Sequence, residues 1–127
     1  MQLSPHALSI TLLFWIAASA PPTWACDDLD PGFGDEPTVG EIQRYTDCLW
    51  SEHRLGDLII FLESNLDAVK NDAWLTRMLG MAYNTHGRTE EARQMLTHAY
   101  SLSPEDPVIN EALAQVLTVR ALQISPR

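Results

Sequence analysis

The chain has 127 residues and a formal charge of −9, from 17 acidic and 8 basic side chains. A surface of that sign repels phosphate backbones and anionic lipid headgroups, which sets nucleic-acid binding aside. Once the N-terminus is taken as a leader, roughly a hundred residues remain, enough for one small domain and nothing larger.

Residues 1–25 contain no Asp, Glu, Lys or Arg. Within them Ala7 to Ala20 is a largely apolar run followed by PPTWA, in the order apolar core, helix breaker, small residue that an export signal shows. A membrane anchor needs about 20 apolar residues, and Pro21 and Pro22 end this run earlier. The preceding MQLSPH has no Lys or Arg, which leaves the N-terminal amine and His6 as its sources of positive charge. Cleavage is expected after Ala18-Ser19-Ala20 or after Thr23-Trp24-Ala25, the second of which places Cys26 first in the mature chain.

Residues 26–37 form an acidic arm, CDDLDPGFGDEP. Cys26 and Cys48 are the two cysteines, and an even count in an exported chain favours a disulfide. Such a bond closes a loop of about 23 residues, worth roughly 3 kcal/mol in the chain-entropy description, and pins the arm onto the first helix. Two other fates stay open. Ala25-Cys26 resembles the junction of a bacterial lipoprotein signal, which implies an acylated Cys26 and a membrane tether, although Thr23 stands where such signals usually have Leu and Trp24 departs too. Alternatively both thiols are unpaired, Cys48 then being an ordinary buried one. As a calcium loop the arm fails, because Phe33 stands where the sharp-turn Gly belongs and Val39 where the bidentate Glu belongs. No metal and no cofactor are expected.

A helical domain is expected over residues 38–123. Thr38 and Glu41 form a capping box, and Ile42, Tyr45 and Leu49 make an apolar stripe behind it. Leu55, Leu58, Ile59, Leu62 and Leu66 make the stripe of a second helix. Asp72 then caps a third, whose face is Leu75, Met78, Leu79, Ala82 and Tyr83, and Gly87 stops it in a left-handed conformation. A fourth helix opens with Thr89 as N-cap and Glu90 and Glu91 in its first turn, where the helix dipole favours anions. Its inward face is Ala92, Met95, Leu96, Ala99 and Leu102. Gly80, Ala82, Ala92 and Ala99 lie on or beside these packing faces, and their small size lets two backbones approach closely. Asp106 caps a fifth helix with Pro107 at its first position, and Ile109, Leu113, Val116 and Leu117 face inward. Glu111, Gln115 and Thr118 supply the polar outer face that a terminal cap needs. Residues 124–127 form a tail.

Leu79-Gly80, Tyr83, Gly87, Ala92, Leu96, Ala99 and Pro104 recur at the positions of the tetratricopeptide repeat, a helix-turn-helix unit of 34 residues, and Ala73 to Asp106 resembles one such unit. Thr76 stands where the family usually has a large aromatic residue, with Trp74 two positions earlier. One repeat length upstream, Tyr45, Leu49, Leu58 and Leu62 align with Leu79, Tyr83, Ala92 and Leu96, while Arg54, Leu62 and Asp72 recur identically and Thr46 takes the place of Gly80. The resemblance implies an all-α fold, a short α-solenoid of antiparallel helix pairs with about two repeats and a C-terminal capping helix.

It also implies a groove for an extended peptide or a helix of another protein, lined by the first helices of successive repeats. Carried onto this chain, the groove positions are Trp74, Arg77, Met81, Asn84 and Thr85, and upstream Gln43, Asp47, Trp50 and Ser51. Trp and Arg anchor interfaces, yet Trp50 and Trp74 also suit burial under neighbouring helices or the arm. The family's C-terminal carboxylate clamp is not expected, since the groove offers only Arg77 and Asn84 for it. His53, His86 and His98 are spaced unlike any catalytic or metal motif and read as turn or surface residues, so no enzyme is expected. An exported member of this family suggests a bacterial envelope, with a periplasmic location or, if Cys26 is lipidated, a membrane-tethered one. Two roles follow: an adaptor that binds another envelope protein through the groove, or a structural subunit that forms a homo-oligomer through its solenoid ends.

Overall fold

The computed structural model describes residues 26–31 and 36–124. The expected export segment 1–25, residues 32–35 of the arm and residues 125–127 of the tail lie outside the described part. Among the described residues, a 3-10 turn at Asp27–Leu29 is followed by six helices: α1 (Val39–Ser51), α2 (Leu55–Ser64), α3 (Leu66–Lys70), α4 (Ala73–Thr85), α5 (Thr89–Leu102) and α6 (Pro107–Ile124). The fold is all-α, a short helical solenoid, and no strand occurs among the described residues. Nor is any described helix long and apolar enough to cross a membrane.

Local chemistry sets the helix starts. At α1 the Thr38 side chain accepts from the Glu41 amide at 3.3 Å while the Glu41 carboxylate accepts from the Thr38 amide at 2.8 Å, so the capping box is closed in both directions. Hydrogen bonding to Thr38 holds the Glu41 carboxyl below its ordinary pKa. Asp72 caps α4 through the Leu75 amide at 2.8 Å, and Asp106 caps α6 through the Val108 amide at 2.9 Å. Thr89 is not a cap: it is the first helical residue of α5, and Arg88 is the cap position. The Arg88 amide donates to the Tyr83 carbonyl and its own carbonyl accepts from Ala92, both at 2.9 Å, which starts the helix one residue early.

The 34-residue period is visible in the backbone even where the side chains have changed. Arg54 donates to the Leu49 carbonyl as Arg88 does to that of Tyr83, again at 2.9 Å. His53 has φ of 58° where Gly87 has 76°, so the upstream turn places a residue with a Cβ in the left-handed region. Arg54 Nε bonds Asp57 at 2.9 Å, and Arg88 Nε bonds Glu91 at 3.2 Å.

The core runs continuously through the helices and contains Ile42, Leu49, Leu58, Leu62, Leu75, Leu79, Leu96 and Val116, all fully buried. Tyr45 meets Phe61 edge to face at 4.6 Å between ring centroids, joining α1 to α2. Between α4 and α5 the approach is closest at Gly80: a Cβ there would lie 2.7 Å from Leu96 Cγ. In the upstream unit Thr46 takes this position, fully buried, and turns its hydroxyl back to the Ile42 carbonyl at 2.6 Å. Thr76, where an aromatic residue was the family expectation, is also fully buried and donates to the Val69 and Asp72 carbonyls, tying α4 to the end of α3.

Three further sequence expectations are corrected. The second helix stops at Ser64 rather than running through Leu66, because Asn65 leaves helical geometry and its side-chain Nδ2 donates to the Phe61 carbonyl at 2.8 Å; Leu66 opens the separate helix α3. Leu102 and Leu117 are not inward, being 42% and 47% exposed, and Ala112 is buried in their stead on α6. His98 is not merely a surface residue: it is half-buried, and its Nε2 donates to the Lys70 carbonyl at 2.7 Å, binding α5 to the end of α3.

Two arginines fasten the elements from outside the core. Arg54 reaches Asp27 at 3.0 Å and so holds the 3-10 turn against the α1–α2 hairpin. Arg88 lies over the Tyr83 ring, 4.4 Å from its centroid, and bonds Glu63 on α2 at 3.2 Å, while the Tyr83 hydroxyl donates to the same Glu63 oxygen at 2.6 Å. Burial, reinforced by the bond to Glu63, pushes the Tyr83 phenol up to about 12. At the N-terminal end Cys26, fully buried, is paired with Cys48 on α1 with sulfurs 2.05 Å apart.

Candidate binding groove

α1 and α4 are the first helices of successive units, and their facing sides form the candidate site. Gln43 Nε2 on α1 donates to the Asp72 carboxylate at 3.1 Å, so the residue that caps α4 also fixes the spacing of the two helices. Next to this bridge lies a shallow depression of about 470 Å³ lined by Gly40, Gln43, Arg44, Asp47 and Trp74. Three residues expected in the groove, Gln43, Asp47 and Trp74, meet here. Asp47 is exposed and Trp74 half-buried, its ring packed against the core.

The remaining expected residues lie along the two helices but not in this depression. Met81 and Trp50 are half-buried and packed against the core. Asn84 is half-buried; Thr85 and Ser51 are exposed, with hydroxyls bonded to the Met81 carbonyl at 3.0 Å and the Cys48 carbonyl at 2.8 Å. Trp50 therefore covers the core, whereas Trp74 both covers it and walls the depression. Arg77 is half-buried, and its Nε is the buried side-chain polar atom without a hydrogen-bond acceptor among the described residues. A buried N–H left unpaired is costly.

Two lining residues were missed from sequence. Gly40 stands one repeat length before Trp74 and so occupies a groove position without a side chain; a Cβ there would meet nothing within 4 Å. The depression exists because that side chain is absent. Arg44 follows Gln43 on the exposed side of α1 and sets a cation beside Asp47, making the rim mixed in charge within an acidic protein. Further along, the same register passes from Arg77, Met81 and Asn84 to Glu111, Gln115 and Thr118 on α6. The polar face expected of a terminal cap is thus in register with the groove stripe.

Chemically the groove offers an aromatic wall, amide and guanidinium donors and one carboxylate. His53 and His86 are exposed in the hairpin turns, and His98 is engaged with Lys70. Glu52 lies with the two cysteine sulfurs inside 4.8 Å, but sulfurs bonded to each other leave the carboxylate as the one ordinary metal donor of that group.

Residues 73–116, spanning α4, α5 and the first part of α6, match the family model of the tetratricopeptide repeat. No curated protein and no solved structure matches the chain.

Proposed function

Residues 73–116 carry a tetratricopeptide repeat, and from that premise we propose that the chain is an exported, non-catalytic adaptor that binds another envelope protein in the α1–α4 groove. Repeats of this family generally mediate protein–protein interaction. The observation that carries the reading is the depression at Gly40, Asp47 and Trp74 between α1 and α4. Its occupant is an extended peptide segment of the partner: backbone carbonyls supply acceptors for Gln43 and Arg44, and an apolar side chain fits against Trp74 where Gly40 leaves space. The periplasm is the proposed location. The apolar leader at residues 1–25 supports it, and so does the Cys26–Cys48 pairing, which suits an oxidising compartment.

In-cell crosslinking followed by recovery tests this. Arg77 and Met81 are partly buried, so variants there would mix binding with folding; Asp47 and Arg44 are exposed and suit the purpose. The native protein is expected to recover one envelope protein, and Asp47→Arg with Arg44→Glu to lose it while melting as the native protein does. Equal recovery by the double variant would refute the groove assignment.

A further inference from the structure

α1, α4 and α6 hold the same place in successive 34-residue units, yet they are buried differently. α4 is covered on two flanks, by one set of positions at Leu75, Met78 and Ala82 and by a second at Thr76, Leu79, Gly80 and Tyr83. On α1 only the counterparts of the second set are buried: Ile42, Tyr45, Thr46 and Leu49. On α6 only the counterparts of the first set are buried: Ile109, Ala112 and Val116. The second flank of α6 holds Asn110, Leu113, Ala114 and Leu117, counterparts of Thr76, Leu79, Gly80 and Tyr83, followed by Ala121 one turn on; Asn110 is turned to the Pro104 carbonyl at 3.2 Å, and Leu113 is partly buried against the core. On α4 this flank receives Leu96 and Met95 of α5. On α6 no described helix covers it: Ala114 and Ala121 are exposed and Leu117 is 47% exposed.

The opposite end of the array is closed. The flank of α1 that a preceding unit would cover carries Glu41, Arg44 and Cys48, of which two are charged and the third is bonded to Cys26 of the arm. Head-to-tail stacking would therefore set an apolar face against a charged, tethered one. Among the described helices the uncovered apolar flank is the one on α6, and pairing it with a second copy of itself is an isologous contact.

We infer that the Leu113, Ala114, Leu117 and Ala121 flank of α6 is the interface of a two-fold homodimer in which two α6 helices pack antiparallel. The face is self-complementary, because Ala114 and Ala121 leave recesses on either side of Leu117 into which the other copy's large residue fits. Charge permits the contact here. α6 holds one acid, Glu111, and one base, Arg120, within a chain of net charge −9, so two copies meet at this helix without the repulsion they would meet elsewhere. One helix flank of 18 residues, about 27 Å long, covers less than the roughly 800 Å² per partner of a standard interface. The pair is accordingly a micromolar, reversible one. Glu111, Gln115 and Thr118 lie on a different side of α6, so pairing leaves the groove stripe open and gives the dimer two grooves.

Sedimentation of the intact protein, as purified from its cells, over about 1 to 300 µM tests the inference across the micromolar range. The mass is expected to double with concentration. Leu117→Glu and, separately, Ala114→Leu, which fills the recess, should each raise the midpoint at least tenfold, while Gln115→Glu leaves it in place and all three keep the native circular dichroism. A mass that stays monomeric throughout, grows past the dimer, or doubles equally in the Leu117→Glu and Ala114→Leu variants would overturn the inference. So would a foreign chain co-purifying one-to-one on this flank in place of a second copy.

Discussion

Replacing Gly80 with alanine sets two effects of known size against each other. In an ordinary helix interior the change stabilises by about 1 kcal/mol, because glycine loses more backbone freedom on folding. Here the new Cβ would stand 2.7 Å from Leu96 Cγ, 3.0 Å from Leu96 Cδ2 and 3.3 Å from Met95 Cβ. Leu96 is fully buried and cannot swing into solvent, so α5 has to retreat; overpacking of this kind costs about 1–3 kcal/mol. The net expectation is a loss of about 1 kcal/mol. A double-mutant cycle isolates the cause. Leu96→Ala alone should cost about 2–5 kcal/mol through its cavity, but it removes the two nearest obstructing atoms, Leu96 Cγ and Cδ2, and leaves Met95 Cβ at 3.3 Å. In that background Gly80→Ala should become stabilising by about 1 kcal/mol, giving a coupling of about 2 kcal/mol. Urea unfolding followed by far-ultraviolet circular dichroism reads all four corners. If Gly80→Ala stabilises the native protein, or has the same effect in both backgrounds, the close approach of α4 and α5 is not what glycine serves.

Removing the Cys26–Cys48 bond by Cys48→Ala should cost about 3 kcal/mol of stability, and reductant should lower the urea midpoint of the native protein while leaving that of the variant unchanged. His53→Gly should stabilise by about 0.5–1 kcal/mol in thermal unfolding, since it relieves a left-handed φ of 58° on a residue with a Cβ. Tyr83 gives an alkaline signature: the unfolded phenol releases its proton near 10 while the folded one keeps it to about 12, so the unfolded state binds fewer protons in that window. Stability should fall as pH rises from 10 to 12, on the order of 2 kcal/mol for this residue, and Tyr83→Phe should flatten that fall in pH-dependent melts.

What could be read from sequence was set by short-range chemistry. The Thr38–Glu41 box, the Asp72 and Asp106 caps, the turn at Gly87 and the stripes of α1 and α4 each depend on residues within four positions of one another, and each is in place. What escaped depends on where a facing element ends. Leu62 and Leu66 keep helical spacing across Asn65, so periodicity does not register the break that the Asn65–Phe61 bond accompanies. Leu117 continues the α6 pattern but belongs to the flank with no covering helix, and only the comparison of three register-equivalent helices distinguishes it from Val116. In the groove, Asp47 and Trp74 were legible as large or charged groups on a stripe. Gly40 was not, because it contributes by having no side chain, and reading it requires the 34-residue register that pairs it with Trp74.

The most direct test fills the groove without touching the core. Gly40→Leu adds a side chain where a Cβ meets nothing within 4 Å, on a helix that gains rather than loses from the change. The variant should melt at or slightly above the temperature of the native protein and yet fail to recover the envelope partner in the crosslinking assay. A variant that folds as expected and still recovers the partner at native levels would contradict the groove as the working surface.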